Sequence, residues 1–155
     1  MQNNEKIIVK TLFGSHLYGT STPVSDKDFK GVFLPSKEQI FLGQIPKSYN
    51  NNKKKAKGEK NTVDDIDIEI YSLHYFIRLA CEGQTVAIDM LHAPESMIIE
   101  KSEIWDEIIE NREKFYTKNL KAFTGYARRQ AAKHGISSER LGNLREVIRV
   151  LEKFS

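Results

Sequence analysis

Two aspartates separated by one residue, Asp26 and Asp28, are the side chains of this chain best suited to carry chemistry. In an extended segment, residues i and i+2 point to the same side, so both carboxylates converge on one place. Two like charges held close together are unfavourable unless a cation neutralises them. Mg²⁺ prefers a few carboxylates together with phosphate oxygens, and Mn²⁺ accepts similar ligands. The spacing predicts a divalent-metal site, and the alternative is a solvated Asp-x-Asp turn.

A second acidic group lies on a later predicted strand, in which isoleucines and acids alternate from residue 65 to residue 70. The isoleucines would face one side of the sheet, and the acids Asp65, Asp67 and Glu69 would face the other. Three clustered carboxylates can hold two metal ions that clamp the attacking and leaving oxygens in phosphoryl transfer. We therefore expect Asp67, with Glu69, to complete the cluster. The alternative is an amphipathic edge strand with a charged outer face.

A Gly-Ser pair, Gly14-Ser15, directly follows the first predicted strand. Glycine permits a tight turn and lets backbone N–H groups approach phosphate oxygens, and the serine hydroxyl can donate as well. The pair alone is weak evidence, because most such pairs are ordinary turns. Lys30 lies two positions after the second aspartate, so it shares the face of that aspartate and could meet a phosphate.

Taken together, these motifs resemble the DNA polymerase β-like nucleotidyltransferase superfamily. That superfamily carries Gly-Ser, a spacer, Asp-x-Asp on a strand, and a third acid on a later strand. The likeness is closer still to a subgroup of uncharacterised predicted nucleotidyltransferases of bacteria and phages. It is carried by the segments 14–20, 25–32, 67–73 and 125–130.

The resemblance implies roles for the acids and for the turn. Asp26 and Asp28 would bind the catalytic metal, Mg²⁺ or Mn²⁺. Asp67 would be the third acid, which helps to activate an attacking hydroxyl; it is preferred to Glu69 on the Asp-x-x-x-Tyr spacing to Tyr71. Gly14 and Ser15 would hold the nucleoside triphosphate. Beside them, His16 and Tyr18 follow the Gly-Ser pair and are expected to line the nucleotide pocket with Lys30, the alternative being that Tyr18 only packs the turn.

The activity implied is transfer of a nucleoside monophosphate from a nucleoside triphosphate to an acceptor hydroxyl, with release of pyrophosphate. The acceptor is left open between an RNA 3′ end, a protein side chain and a small molecule. The alternative function is that of a catalytically inactive nucleotide-binding or nucleic-acid-binding protein of the same fold.

Strands come first along the chain and helices later, which indicates an α+β fold. Together with the resemblance, this order implies a small mixed β-sheet core followed by a C-terminal helical segment. The predicted strands are residues 6–13, 28–34 and 63–70. The predicted helices are 73–81, 102–111, 117–133 and 138–154, and a short segment at 87–91 lies between the first two. Residues 43–61 are expected to form a long, poorly ordered connection.

The nucleotidyltransferase core is assigned to residues 1–100, and the helical segment packed on it to residues 101–155. Because members of the superfamily are often longer, the chain is either a short member or a fragment. Trp105 and Phe123 are expected in the core rather than as platforms for base stacking.

The chain has 155 residues, a net charge of +3 and a single cysteine, Cys81. No apolar run approaches the length of a membrane helix, and a lone cysteine excludes an intrachain disulfide, so we expect a cytoplasmic protein. Cys81 itself is expected to be small and buried. Lysines crowd residues 47–60, including Lys53, Lys54 and Lys55. They either form a solvated loop or contact a polyanion, in which case binding would depend on salt.

Overall fold

A computed structural model of the chain describes residues 5–51, 66–118, 121–134 and 146–153. Its strands are β1 (Lys6–Leu12), β2 (Lys27–Leu34), β3 (Ser48–Asn50), β4 (Ile66–Ser72) and β5 (Ile98–Lys101). Its α-helices are α1 (Gly14–Leu17), α2 (Lys37–Phe41), α3 (Leu73–Cys81), α4 (Thr85–Leu91), α5 (Glu103–Glu110) and α6 (Lys121–His134). Residues 146–151 are also helical, within the helix predicted for 138–154.

In the described part of the chain, the strands form one sheet in the order β3-β4-β2-β1-β5. Strands β2 and β4 are parallel, and the other neighbours are antiparallel. The sheet is therefore mixed, and the α+β prediction is confirmed. The boundary predicted at residue 100 stays a prediction.

Two short edge strands were not predicted. Strand β3 lies inside the segment expected to be a poorly ordered connection, and it pairs with β4 through Tyr49 and Ile70. Strand β5 has only four residues, and it pairs with β1. Neither strand has a long alternating pattern, so only their pairing with a stronger neighbour identifies them.

The core lies between the sheet and helices α3, α4 and α5. The largest buried side chains in it include Trp105, Phe76 and Met90, and the Trp105 and Phe76 rings are 5.5 Å apart. Trp105 is thus in the core, as predicted. Cys81 is exposed, so the prediction that it is buried was wrong. It is the last residue of α3.

Helix α3 begins directly where β4 ends, at Ser72. Ser72 is the N-cap of α3, but its hydroxyl makes no cap hydrogen bond. It donates instead to the Lys47 carbonyl oxygen at 3.2 Å. Among the described residues, no helix is both long and apolar enough to cross a bilayer.

Candidate active site

Strands β2 and β4 begin side by side, and their parallel register aligns Asp28 with Asp67. Asp26 lies just before β2, two residues from Asp28. One carboxylate oxygen from each of the three aspartates lies within 4.8 Å of the other two. The structure therefore brings together Asp26, Asp28 and Asp67, which the sequence placed on two separate segments.

The electrostatics of this acid cluster favour a cation. Burial raises the pKa of the Asp28 carboxyl, and the neighbouring charges of Asp26 and Asp67 raise it further, while Lys30 and His16 oppose the shift. A divalent cation would relieve the repulsion between the carboxylates. Carboxylate oxygens are the hard ligands that Mg²⁺ and Mn²⁺ prefer, so the donor set fits such an ion.

Gly14 packs directly on this cluster. Its φ is 61°, a left-handed conformation that side chains disfavour. A Cβ atom at this position would overlap the Asp28 carboxylate. The Phe13 N–H donates to the Asp28 carbonyl oxygen at 2.7 Å, which holds the turn against β2. Glycine is therefore required here for two reasons: its φ is left-handed, and a side chain would overlap Asp28.

Two polar atoms next to Gly14 are buried without a hydrogen-bond partner in the described part of the chain. They are Ser15 Oγ and His16 Nε2. An unsatisfied buried polar group costs about 1–3 kcal/mol. Both atoms can donate a hydrogen bond, and a phosphate oxygen would accept one. The turn thus carries donors of the kind that an anionic ligand needs.

Two residues further along the same two strands, Lys30 is aligned with Glu69. The Lys30 Nζ and Glu69 Oε2 atoms are 2.8 Å apart, and both side chains are about three-quarters buried. Glu69 also accepts hydrogen bonds from the hydroxyls of Tyr71 at 2.7 Å and Ser48 at 3.4 Å. The structure therefore places Glu69 outside the aspartate cluster and commits Lys30 to an ion pair.

These contacts set the charge state of Glu69. Burial alone would raise the pKa of the Glu69 carboxyl, but the Lys30 and Tyr71 hydrogen bonds and the Lys30 charge outweigh it and lower the pKa. Glu69 is therefore a stably charged partner of Lys30 and already has its counter-charge.

A further carboxylate, Asp89 on α4, faces the turn from the other side. The Tyr18 hydroxyl donates to Asp89 Oδ2 at 2.6 Å, and the Tyr18 ring lies 6.3 Å from the Phe13 ring. Burial, followed by the hydrogen bond to Asp89, raises the pKa of the Tyr18 hydroxyl, which therefore remains a donor. Asp89 belongs to no sequence motif, and only the packing of α4 against the turn identifies it.

Asp89 also lines a cavity of about 320 Å³. Phe123 lines the same cavity and is 39% exposed, so the prediction that Phe123 lies in the core was wrong. Helices α4 and α6 make few contacts with each other, so Phe123 stays partly exposed where it lines the cavity. The lysines Lys53, Lys54 and Lys55 lie outside the described residues, and their contact with a polyanion stays a prediction.

Comparison with known proteins identifies the family of the chain. The profile of the RNA repair pathway DNA polymerase beta family matches residues 1–151. The chain is also 45% identical, over 150 residues, to an uncharacterised 38.9 kDa protein in the nrdC-mobD intergenic region of Enterobacteria phage T4. That alignment covers 96% of this chain and 44% of the phage protein, so the chain spans less than half of that relative. No solved structure matches the chain.

Proposed function

The chain belongs to the RNA repair pathway DNA polymerase beta family, and from this premise we propose that it is a metal-dependent nucleotidyltransferase. It would transfer a nucleoside monophosphate from a nucleoside triphosphate to an acceptor hydroxyl and release pyrophosphate. The metal would be Mg²⁺, with Mn²⁺ as a substitute.

One observation carries this proposal. Asp26, Asp28 and Asp67 present oxygens within 4.8 Å of one another on two adjacent strands. Such a cluster suits a divalent ion that also contacts phosphate oxygens. The packing of Gly14 against Asp28 brings the unpartnered donor of Ser15 to the same place.

The proposed reaction is an in-line displacement at the α-phosphorus. A bond forms between the acceptor oxygen and phosphorus, the bond to the bridging oxygen of the β-phosphate breaks, and pyrophosphate leaves. The bound divalent ion supplies charge neutralisation for the triphosphate and the leaving group. Asp26 and Asp28 would hold that ion, and Asp67 would orient the acceptor hydroxyl and take its proton. The donors of Ser15 and His16 hold the triphosphate.

The acceptor that we propose is an RNA hydroxyl. The sequence left RNA, protein and small molecules open. The description of the family refers to an RNA repair pathway, which favours RNA among the three. All the residues proposed to hold the metal and the triphosphate lie within this chain, although the relative is more than twice as long.

The test is a transfer assay. The protein is incubated with each α-labelled nucleoside triphosphate, Mg²⁺ or Mn²⁺, and separate RNA and protein pools. We expect label in the RNA pool and release of pyrophosphate. The variants Asp28→Asn and Asp67→Asn should lose at least about a hundredfold of this activity.

The matched control is Asp106→Asn, the same change at a half-exposed aspartate of α5 that pairs with Lys101. It should retain wild-type transfer. Full transfer by Asp28→Asn would overturn the proposed metal role. Metal-independent binding of RNA without any transfer would support the inactive binding protein instead.

A further inference from the structure

The cavity beside Asp89 is built from four parts of the chain. Gly83 lies in the turn that precedes α4, Tyr116 and Thr117 precede α6, and Phe123 lies in α6. Helix α4 contributes Thr85, Ile88 and Asp89. The volume of about 320 Å³ is within the range of small-molecule sites. The wall is mostly apolar, with one carboxylate.

Exposed aromatic side chains gather around this cavity. In the described part of the chain, five aromatic residues are exposed, and four of them lie here: Tyr18, Tyr116, Phe123 and Tyr126. Tyr116 and Phe123 line the cavity, Tyr18 bonds to Asp89, and Tyr126 lies close enough to Tyr18 to influence its pKa. Aromatic faces that remain exposed are suited to stacking on a flat ring, which contributes about 1–3 kcal/mol per nucleobase.

Tyr116 is also held in position. Its hydroxyl lies 3.0 Å from His92 Nε2, and the two rings are stacked with an interplanar angle of 21°. His92 directly follows α4, so the Tyr116 ring is fixed to the same helix that carries Asp89. A pre-positioned ring loses less conformational entropy when a ligand stacks on it.

Tyr18 links the cavity to the aspartate cluster. It caps the helical turn that begins at Gly14, and its N–H donates to the Gly14 carbonyl oxygen. Gly14 abuts Asp28 at one end of this turn, and the Tyr18 hydroxyl reaches Asp89 at the other. A ligand with phosphates at Asp28 and a ring at Asp89 would therefore lie along this turn.

We propose that this cavity binds the base of the triphosphate and that Asp89 selects guanine; the inference rests on the proposed function. A carboxylate only accepts hydrogen bonds, so the ligand edge that faces Asp89 must donate. Guanine presents two adjacent donors, N1–H and the 2-amino group, which match the two carboxylate oxygens. The Tyr18 hydroxyl uses only part of the acceptor capacity of Oδ2.

The other bases match Asp89 less well. The amino group of adenine or cytosine lies beside a ring nitrogen that is itself an acceptor, and this nitrogen would face the carboxylate. The single imide N–H of uracil lies between two carbonyl oxygens. Each of these edges sets an acceptor against Asp89, which is repulsive in a partly buried site.

The experiment measures binding rather than turnover. Non-reacting α,β-methylene triphosphates of guanine, adenine, cytosine and uracil are titrated calorimetrically into the full chain with Mg²⁺. We expect the guanine analogue to bind about tenfold more tightly than the others, or more. The hypoxanthine analogue lacks the 2-amino group and should bind several-fold more weakly than guanine. This comparison needs no variant.

The variant Asp89→Asn should reduce the guanine preference to less than about threefold while all four analogues still bind. The matched control Asp106→Asn should keep the preference. Circular dichroism checks that both variants are folded. If Asp89→Asn is not folded, the comparison of the guanine and hypoxanthine analogues on the wild-type chain tests the guanine preference.

The possible failures are distinguishable. Equal binding of all four analogues by the wild-type chain would overturn the guanine inference and leave the proposed function standing. So would a guanine preference that survives in folded Asp89→Asn. If no triphosphate binds in the presence of Mg²⁺, the proposed function fails, and the inference fails with it.

Discussion

Two residue pairs that face each other across β2 and β4, two positions apart, carry acids in opposite electrostatic situations. We call Asp28–Asp67 the first step and Lys30–Glu69 the second. At the first step, Asp28 of β2 faces Asp67 of β4, and the position across from each acid holds another acid. At the second step, Lys30 faces Glu69, and the two form an ion pair at 2.8 Å. The difference teaches that what lies across the strands matters more than the presence of acids: an acid that faces another acid suits a metal ion, whereas an acid that faces a lysine is already neutralised.

The two steps also respond oppositely in their pKa values. Burial and the neighbouring acids raise the pKa of Asp28. The hydrogen bonds and charge of Lys30 and Tyr71 lower the pKa of Glu69 despite its burial. A carboxylate that is repelled needs a cation from solution, whereas a carboxylate that is paired already has one.

The largest expected effect is on metal binding at the first step. Mn²⁺ at a hundred times its dissociation constant should stabilise the wild-type chain by about 2.7 kcal/mol, and Asp28→Asn should lose most of this gain. Urea unfolding with and without Mn²⁺ measures the difference, and Asp106→Asn is the control. If Mn²⁺ stabilises Asp28→Asn as much as Asp106→Asn, the ion binds elsewhere.

A smaller effect is expected from Gly14→Ala. The change adds a Cβ that overlaps the Asp28 carboxylate, at a φ of 61°. Gly19→Ala is the matched control, because its φ is 66° and its surroundings are open. Both variants should lose about 1 kcal/mol of stability through backbone strain. Only Gly14→Ala should also lower Mn²⁺ affinity, by about tenfold, since it displaces a ligand.

If isothermal titration gives the two glycine variants the same Mn²⁺ affinity, the contact between Gly14 and Asp28 has no part in metal binding. The comparison separates steric displacement from backbone strain, because the strain is common to both positions.

At the second step, Lys30→Met should lower the free energy of unfolding by about 1–2 kcal/mol, because it leaves the largely buried Glu69 without its cation. The control is Glu82→Gln, which removes a half-exposed ion pair with Arg78 and should change stability by about 0.5 kcal/mol or less. Urea denaturation measures both. A loss no greater than that of the control would show that Lys30 and Glu69 are as well solvated as a surface pair.

The smallest effect is expected from Tyr71→Phe. It removes the hydrogen bond that the neutral Tyr71 hydroxyl donates to the Glu69 carboxylate at 2.7 Å and leaves the ion pair with Lys30 in place. We expect a loss of about 1 kcal/mol in the free energy of unfolding, with unchanged Mn²⁺ affinity. A loss larger than that of Lys30→Met would make Tyr71 the main partner of Glu69.

Much of the fold was predictable because its elements have strong local patterns. The central strands and helix α3 carry continuous apolar or periodic stretches, and their predicted bounds agree with the structure to within a few residues wherever it describes them. The edge strands β3 and β5 were missed because a three-residue or four-residue strand has no period of its own. The exposed Phe123 was missed because burial of an aromatic residue depends on what packs against it.

The sequence by itself determined which acids share a face of the sheet. Strand alternation has a period of two, so Asp67 and Glu69 point the same way wherever β4 lies. The resemblance favoured Asp67, but the alternation alone could not choose between the two, because a pattern on one strand does not set its register against another.

Only the tertiary structure showed which of the two lies beside Asp26 and Asp28, and it added Asp89. The parallel pairing of β2 with β4 aligns Asp67 with Asp28 and gives Glu69 to Lys30. The packing of α4 against the turn at Gly14 brings Asp89 to Tyr18, 71 residues away in the chain. Register and helix packing depend on contacts between distant segments, and no local pattern of residues contains them.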